Sequence, residues 1–319
     1  MNDYKKICVV GVGKWGKNHV NTLFRLNSLY AIVESNLIVL KKYKKKYPSL
    51  KTYLKLENAL DDKEIDAFIV STPAETHYSI SKKIIKKRYH LLVEKPITLK
   101  SNEAIELHEL SLEYNVTLMV GHVLIFHPAF VKIKEMIDSG KLGKLQYLYS
   151  NRLNLGTIRT EENVFWSFAP HDVALFQFFT NSYPQEIFSK GIDLVNTGVE
   201  DSTITTFKYP NKIMGHIFVS WLHPFKEHRF IVIGSKGMVS YEDSLTNKPL
   251  IFHDKSIHWN KEKPEPKNGS SWFVDFDNEL ALDRQLKYFL SKLGEKVEFV
   301  DSKSAIDVIK IMEYATKNK

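Results

Sequence analysis

In the first third of the chain, short apolar runs alternate with amphipathic stretches that have helical spacing. The runs Ile7–Val10, Leu29–Val33 and Ile65–Val70 are too short for helices and rich in branched residues, which is typical of buried parallel strands. Strands that alternate with helices of this length form right-handed βαβ units. The pattern therefore predicts a parallel sheet over residues 1–121.

The pattern changes after residue 121. Short strands with short connections between them are predicted over residues 186–192, 201–209, 212–221, 226–234 and 237–241. Connections this short favour antiparallel neighbours. Helical spacing predicts closing helices over residues 275–292 and 302–318, and a Lys-, Pro-, Asn-, Gly- and Ser-rich composition predicts an exposed loop over residues 254–271. We therefore expect an α+β domain over residues 122–319.

Composition agrees with two globular domains. The 319 residues are 43% hydrophobic and 26% charged, and no apolar run approaches the roughly 20 residues that a membrane span needs. Cys8 is the single cysteine, which excludes an internal disulfide and favours a cytoplasmic location. No His, Cys or Asp cluster has the spacing of a metal site, so no metal is expected.

The net charge of +8 does not by itself indicate a nucleic-acid partner. Lysine clusters at residues 41–46 and 82–88 lie on predicted helices, where such runs are usually solvated faces. A nucleic-acid partner would need aromatic or groove-reading elements nearby, and none is present. Attraction of an anionic substrate is the weaker alternative interpretation of this charge.

The first apolar run leads into a glycine turn with the Gly-x-Gly-x-x-Gly spacing, and helical spacing follows it. In such a turn the first glycine permits a tight bend, the second lets the backbone approach a pyrophosphate, and the third lets helix pack on strand. The motif predicts a dinucleotide-binding turn made of Gly11, Val12, Gly13, Lys14, Trp15 and Gly16.

Glu34 ends the second predicted strand, 23 residues after Gly11. A dinucleotide-binding fold has an acid there that binds the ribose hydroxyls. Because a carboxylate repels a 2′-phosphate, NAD is favoured over NADP, although Lys41 and Lys42 lie close enough in sequence to weaken that preference.

Glu94 and Lys95 follow the buried run 91–93, and Pro96 ends that strand. Taken alone, the two charges are those of an ordinary strand end. In open α/β sheets, however, ligands bind beyond the carboxyl ends of the strands. The glycine turn and Glu34 upstream therefore favour a functional interpretation of Lys95.

With the Ser-Thr-Pro-Ala-Glu-Thr-His segment at residues 71–77, these motifs resemble the Gfo/Idh/MocA oxidoreductases over essentially the whole chain. Residues 151–156 and 166–172 are similar to enzymes of bacterial nucleotide-sugar and surface-polysaccharide pathways. The resemblance implies an α/β fold with an N-terminal Rossmann-type parallel sheet and a C-terminal domain with a large open, mainly antiparallel sheet. It also implies a sugar or nucleotide-sugar substrate, and a homodimer or homotetramer formed through the C-terminal sheet.

The resemblance also implies roles for single residues. Lys95 would bind the reacting oxygen and His171 would transfer the proton, which suits an ammonium group and an imidazole that titrates near pH 6.5. Besides the glycine turn and Glu34, the cofactor would contact Ser71, Thr72, Pro73, His77, Glu94, Lys95 and His122. The sugar would contact Lys95, Arg152, Asn154, Trp166, Ser167 and His171.

One position departs from the family pattern. Many relatives have an aspartate four residues before this histidine, where the present chain has Ser167, which supplies no negative charge to an imidazolium. Asp172 or Glu162 are alternative sources of that charge. The sequence predicts an NAD(P)-dependent sugar dehydrogenase, and it leaves open an NADPH-dependent keto-sugar reductase and a redox-silent dinucleotide-binding sensor or scaffold.

Overall fold

A computed structural model describes residues 4–160, 162–298 and 300–317 of the chain. The chain forms two compact units. The first contains Met1–Phe126 and Leu280–Ile309, and the second contains His127–Glu279 and Lys310–Lys319. Within the described ranges, every helix is too short or too polar to cross a membrane.

The sheet of the first unit has six parallel strands: β1 (Ile7–Val10), β2 (Leu29–Val33), β3 (Lys51–Tyr53), β4 (Ala67–Val70), β5 (His90–Val93) and β6 (Leu118–Val120). Their spatial order is β3-β2-β1-β4-β5-β6. The chain reverses its direction of progress across the sheet between β1 and β4, and ligands bind beyond the carboxyl ends of the strands at such a point. The predicted parallel Rossmann sheet is confirmed.

Five helices alternate with these strands: α1 (Gly16–Arg25), α2 (Leu37–Lys46), α3 (Leu56–Leu60), α4 (Ala74–Lys86) and α5 (Ser101–Glu113). The start of α2 is set by Asn36, whose side-chain oxygen accepts hydrogen bonds from the N–H groups of Ile38 and Val39. The buried face of α1 contains His19 between apolar residues. A polar side chain at such a buried position needs a hydrogen-bond partner, and His19 has one in Glu94.

The second unit begins with α6 (Pro128–Asp138), followed later by α7 (Val164–Phe168) and α8 (Pro170–Thr180). Its eight strands are β7 (Leu145–Leu153), β8 (Glu186–Ile192), β9 (Ser202–Lys208), β10 (Met214–Ser220), β11 (Glu227–Gly234), β12 (Met238–Glu242), β13 (Leu250–Asn260) and β14 (Lys263–Phe273). They form one sheet in the order β14-β13-β12-β11-β7-β10-β9-β8. Only β7 and β10 pair in parallel, so the expected mainly antiparallel sheet is confirmed.

Helix α8 covers one face of this sheet. The ring of Phe176 lies 5.7 Å from the rings of Phe207 on β9 and Phe230 on β11. On β8 and β9, alternate side chains point away from the core under α8. Among them, Phe188 is 58% exposed and Ile204 is 50% exposed. The sheet is therefore open on one side, and that side carries apolar side chains.

The loop predicted over residues 254–271 is wrong, because these residues form most of the β13–β14 hairpin. Pro264 and Pro266 lie on β14, an edge strand, where a missing N–H is tolerated. They stand directly opposite Trp259 and Ile257 on β13. The composition resembled a loop because this ribbon is largely solvent-exposed.

Two more helices follow: α9 (Ala281–Ser291) and α10 (Ser302–Lys317). The predicted start of α9 at residue 275 is wrong by several residues. The side chain of Asp277 accepts a hydrogen bond from the N–H of Glu279, and such local bonds compete with helix formation. The predicted end of the last helix at residue 318 lies outside the described residues.

Candidate active site

The glycine turn after β1 has the geometry that its spacing predicts. Gly11 has a φ of +82°, and a Cβ added to it would lie 2.7 Å from the side chain of Thr72. A Cβ on Gly16 would lie 2.0 Å from the carbonyl oxygen of Gly11. The first glycine is therefore required by the turn, and the third by the close packing of α1 on the turn.

The middle glycine of the turn differs from the other two. A Cβ on Gly13 would meet no atom within 4 Å. The backbone there is open to a ligand of the kind that approaches it in dinucleotide-binding turns, namely a pyrophosphate. This open position beside the N-terminus of α1 fits a dinucleotide, whose phosphates would be held by the backbone at Gly13, by exposed Lys14 and by the N–H groups of α1.

Glu34 follows the last residue of β2, as predicted. One carboxylate oxygen accepts a hydrogen bond from the N–H of Val12 at 3.1 Å, and the other accepts one from the N–H of Asn36 at 3.0 Å. These contacts hold a negative charge beside the glycine turn. That charge fits ribose hydroxyls and repels a 2′-phosphate.

The loop after β4 is tied to both the glycine turn and the next strand. The Ser71 hydroxyl donates to the carbonyl of Gly11 at 2.7 Å. His77 is buried, with Nδ1 2.8 Å from the carbonyl oxygen of Pro96 and Nε2 2.9 Å from that of Thr72. The ring predicted to line the cofactor thus lies between two backbone carbonyls, and it connects two loops.

Glu94 is buried at the end of β5, with 8% of its surface exposed. One oxygen accepts hydrogen bonds from the indole N–H of Trp15 and from Nε2 of His19, both at 2.7 Å. The other oxygen accepts one from the N–H of Lys95 at 3.2 Å. Burial alone would raise the pKa of Glu94, but the His19 hydrogen bond and charge, with Trp15, lower it below its ordinary value. Glu94 is therefore an anion.

Lys95 is half-buried beside Glu94, and His122 lies buried just beyond β6. Burial lowers the pKa of His122 to about 4, with a further lowering by the charge of Lys95. His122 is therefore neutral at pH 7, and its Nδ1 has no hydrogen-bond partner among the described residues. A buried polar atom without a protein partner is consistent with the predicted cofactor contact.

In the second unit, the predicted substrate-binding residue Arg152 belongs to a buried ion pair. Nε of Arg152 donates to one oxygen of Asp172, and the Ser150 hydroxyl donates to the other at 2.8 Å. Asp172 is completely buried. The terminal nitrogens of Arg152 make no hydrogen bond to any part of the chain that the structure describes. The guanidinium is thus fixed through Nε, and its terminal N–H groups remain available to bind a ligand.

His171 lies in the first turn of α8, one residue before Asp172. Ser167 is near the end of α7, and the residue joining the two helices, Ala169, has helical backbone angles. Ser167 and His171 are therefore about one turn apart, as predicted. The Ser167 hydroxyl is buried and has no hydrogen-bond partner within the described ranges. Of the two alternative acids, Asp172 binds Arg152 and Ser150, and Glu162 pairs with Arg159.

The two remaining predicted substrate residues have local structural contacts. Trp166 donates its indole N–H to the hydroxyl of Thr316 at 3.0 Å, and its backbone N–H to the capping side chain of Asn163. Asn154 follows β7, and its side-chain oxygen is buried without a partner among the residues that the structure describes. Asn154 is consequently the better placed of the two to bind a ligand hydroxyl.

Sequence reasoning missed His19 and the pairing of Asp172. The signal for His19 was its position four residues after Trp15, on the face of α1 that also carries Val20 and Leu23. A polar side chain in that stripe needs a buried partner. The Arg152–Asp172 pair had no comparable signal, because the two residues come from a strand and a helix.

Comparison with known proteins agrees with this geometry. A family model described as an oxidoreductase family with an NAD-binding Rossmann fold, Gfo/Idh/MocA, matches residues 5–122. The model of the Gfo/Idh/MocA C-terminal domain matches residues 130–240. The predicted NAD-binding domain is thereby confirmed.

Individual proteins match over most of the chain. It is 25% identical to the myo-inositol 2-dehydrogenase of Thermotoga maritima over 78% of both proteins. It is also 25% identical to the UDP-N-acetylglucosamine 3-dehydrogenase of Acidithiobacillus ferrooxidans, over 61% of this chain and 60% of that protein.

Solved structures share the fold over nearly the full length. That UDP-N-acetylglucosamine 3-dehydrogenase has a TM-score of 0.84 at 21% identity, over 98% of this chain and 97% of that one. GenD2 from gentamicin A biosynthesis, solved in complex with NAD, has a TM-score of 0.81 at 20% identity, over 100% of this chain and 95% of that one.

Proposed function

Because the chain belongs to the Gfo/Idh/MocA family of oxidoreductases, we propose that it transfers a hydride between NAD and a ring carbon of a nucleotide-linked sugar, in the oxidising direction. Residues 1–121 bind the dinucleotide, and residues 122–319 bind the sugar and form the oligomer. The observation that carries the proposal is the group of Glu94, Lys95 and His122 at the carboxyl ends of β5 and β6, in the same unit as the glycine turn.

Lys95 stabilises the reacting oxygen. The chemistry that NAD⁺ would supply, when bound, is a hydride acceptor for the alcohol carbon. The Lys95 ammonium donates a hydrogen bond to the oxygen while alkoxide character develops, and a preorganised cation of this kind is often the largest contribution to catalysis. His122 stays neutral, so it adds no positive charge that would compete with the ammonium for the developing alkoxide.

His171 receives the hydroxyl proton. The alcohol thus loses a hydride from carbon and a proton from oxygen, and a ketone is formed. Imidazole suits this role because it accepts and returns a proton near neutral pH. Ser167, one helical turn away, adds no charge to stabilise the imidazolium.

Arg152 is the residue that favours a nucleotide-linked substrate. Its guanidinium is fixed by Asp172 and presents outer N–H groups that suit the paired oxygens of a phosphate or carboxylate. The UDP-N-acetylglucosamine 3-dehydrogenase among the relatives supports the same substrate class.

The proposal is tested first by titrating the protein with NADH and with NADPH while following fluorescence. We expect NADH to bind more tightly because of the Glu34 carboxylate. A strong preference for NADPH would contradict the role of Glu34 and favour the keto-sugar reductase. Binding of neither nucleotide would contradict the cofactor assignment.

Turnover is then measured with UDP-, GDP- and dTDP-linked hexoses and with free inositols. Lys95→Ala is expected to lower kcat/KM by about 10²- to 10³-fold, since it removes a preorganised charge at the reacting oxygen. Lys100→Ala, which removes an exposed lysine a few residues away, is the control and keeps full activity. Equal activity of the two variants would exclude Lys95 from catalysis.

A redox-silent dinucleotide-binding sensor is the second candidate, and Ser167 favours it because serine supplies no negative charge to stabilise an imidazolium. In that case NADH binds normally, but no member of the sugar panel reacts in either direction. Turnover of any panel member that depends on Lys95 excludes the sensor.

The open face of the second sheet forms the subunit interface in this proposal. Ile204 on β9 stands directly opposite Phe218 on β10, and exposed Phe188 lies on neighbouring β8. Exposed apolar groups of this kind mark association surfaces. A homodimer or homotetramer is therefore expected by light scattering, and Ile204→Glu should convert it to monomer.

A further inference from the structure

Lys95 lies between two residues that are each held by a buried histidine from a different helix. His19 on α1 binds the side chain of Glu94, and His77 on α4 contacts the carbonyl oxygen of Pro96. We propose that His19 and His77 are positioning residues that together fix the backbone of Lys95 for catalysis. The proposal rests on the proposed function and assigns two residues that act through Lys95.

The contact of His19 is made to a carboxylate that has little freedom to move. The His19 ring is 0% exposed, and its Nε2 lies 2.7 Å from the Glu94 oxygen that also accepts the indole N–H of Trp15. The carboxylate packs against Gly121, where an added Cβ would lie 2.7 Å from it. Glu94 is thus bound by two donors on one side and confined by the backbone on the other.

His77 acts on the other side of Lys95. Its ring lies 2.8 Å from the carbonyl oxygen of Pro96 and 2.9 Å from that of Thr72. Carbonyl oxygens accept and never donate, so each hydrogen bond requires an N–H of the imidazole. A neutral ring donates to one of the two carbonyls, and a doubly protonated ring donates to both. In either state the ring fills the space between the loops after β4 and β5.

Fixing both neighbours of Lys95 has a consequence for catalysis. Trp15 belongs to the glycine turn and shares the Glu94 oxygen with His19, while Thr72 packs against Gly11 of the same turn. The backbone of Lys95 is therefore held at a fixed position relative to the glycine turn. A shift of about 1 Å in a reacting group can lower a rate about 10²-fold. Loss of the His19 or His77 contacts should therefore lower kcat more than it raises KM for the sugar.

Hydrogen bonding is separated from packing by two substitutions at each histidine. His19→Gln retains a donor for Glu94, whereas His19→Met fills similar volume without one, and the same pair is made at His77. Each methionine variant is expected to lower kcat about 10- to 100-fold with less than about a threefold change in KM. Each glutamine variant should recover at least half of that loss on a logarithmic scale.

His108→Gln is the matched control. His108 belongs to the same unit, is half-buried, and hydrogen-bonds Ser302, well away in sequence from the Lys95 loop. It should keep full activity. All assays are run well below the melting temperature of each variant. If glutamine and methionine variants lose kcat equally, or if KM rises while kcat is unchanged, the proposal is overturned.

A measurement without substrate separates this proposal from the proposed function. Brief acetylation with acetic anhydride, followed by mass spectrometry of the peptides, gives the labelling of Lys95 relative to exposed Lys100 in the same molecule. The methionine variants should raise this ratio at least threefold, because a loosened loop exposes the amine, and the glutamine variants should restore it. An unchanged ratio overturns the positioning role even if sugars react. A changed ratio supports it even if no panel sugar reacts, in which case only the proposed function fails.

Discussion

Each unit has a buried carboxylate directly beside a predicted catalytic residue, and the two carboxylates have different partners. Glu94 precedes Lys95 and is bound by His19 and Trp15. Asp172 follows His171 and is bound by Arg152 and Ser150. In the first unit, the carboxylate orders the loop that carries the predicted catalytic lysine. In the second, it orders the predicted substrate-binding arginine.

The different partners of Glu94 and Asp172 indicate which group each unit holds in place. The contacts of Glu94 and His77 fix the backbone on both sides of Lys95. The charge of Asp172 is already used by Arg152, and the hydroxyl of Ser167 is neutral. The first unit therefore orders a predicted catalytic cation, and the second orders a predicted anion-binding or hydroxyl-binding group.

Removing the carboxylate of the second unit should have the largest effect on stability. Asp172→Ala leaves the mostly buried Arg152 without its counter-charge, which typically destabilises by about 3–5 kcal/mol. Denaturant unfolding measures this loss of unfolding free energy. Glu186→Ala, which breaks an exposed pair with Lys208 in the same unit, is the control at about 0–1 kcal/mol. Similar losses in both variants would show that Arg152 is effectively solvated.

The neutral histidine of the first unit should make stability depend on pH. The folded pKa of His122 is about 4, below the unfolded value of 6.5. The unfolded chain therefore binds more protons between these values, and the free energy of unfolding falls as pH falls from 6.5 to 4. The full shift corresponds to about 3 kcal/mol.

His122→Asn should remove this part of the pH dependence, measured by denaturant unfolding at pH 7 and pH 4.5. His108→Gln is the control for loss of a histidine elsewhere in the unit. The same slope in His122→Asn and wild type would mean that the imidazole is more hydrated than its burial indicates.

Neutralising the carboxylate of the first unit should have a smaller effect. Glu94→Gln keeps the shape but weakens the hydrogen bonds from His19, Trp15 and the Lys95 N–H, by about 2 kcal/mol in unfolding free energy. Because folding lowers the pKa of Glu94 from its ordinary value of 4.5, the difference from wild type persists above pH 4.5 and shrinks as pH falls through the lowered pKa. Glu57→Gln, at an exposed pair with Lys83, is the control. A difference that grows on acidification would contradict an ionised Glu94.

The smallest effect concerns the charge near His171. Ser167→Asp adds an anion one turn away and should raise kcat about tenfold, or about 1.4 kcal/mol, if His171 receives the proton. Ser167→Asn adds similar bulk without charge and should leave kcat unchanged. An unchanged or lower rate in a folded Ser167→Asp protein would argue against His171 as the base.

Local patterns along the chain determined the parts of the site that lie within one βα unit. The spacing of Gly11, Gly13 and Gly16 with Glu34 predicted the nucleotide turn, because strand, turn and helix geometry restrict which residues fit within a few positions of one another. The apolar run before Glu94 likewise predicted a charge pair at the carboxyl end of a strand. The exposed β13–β14 ribbon was missed because its composition is that of a loop.

Tertiary structure alone decided which residues bind each buried carboxylate. His19 and Glu94 are 75 residues apart in sequence, and Arg152 and Asp172 are 20 apart on a strand and a helix. Such pairings depend on strand order and on how each helix packs on its sheet, and no periodicity of 2 or 3.6 residues encodes them. The sequence thus determined that Lys95 follows a buried strand in a domain with a nucleotide-binding turn. The fold decided that two buried histidines hold its loop.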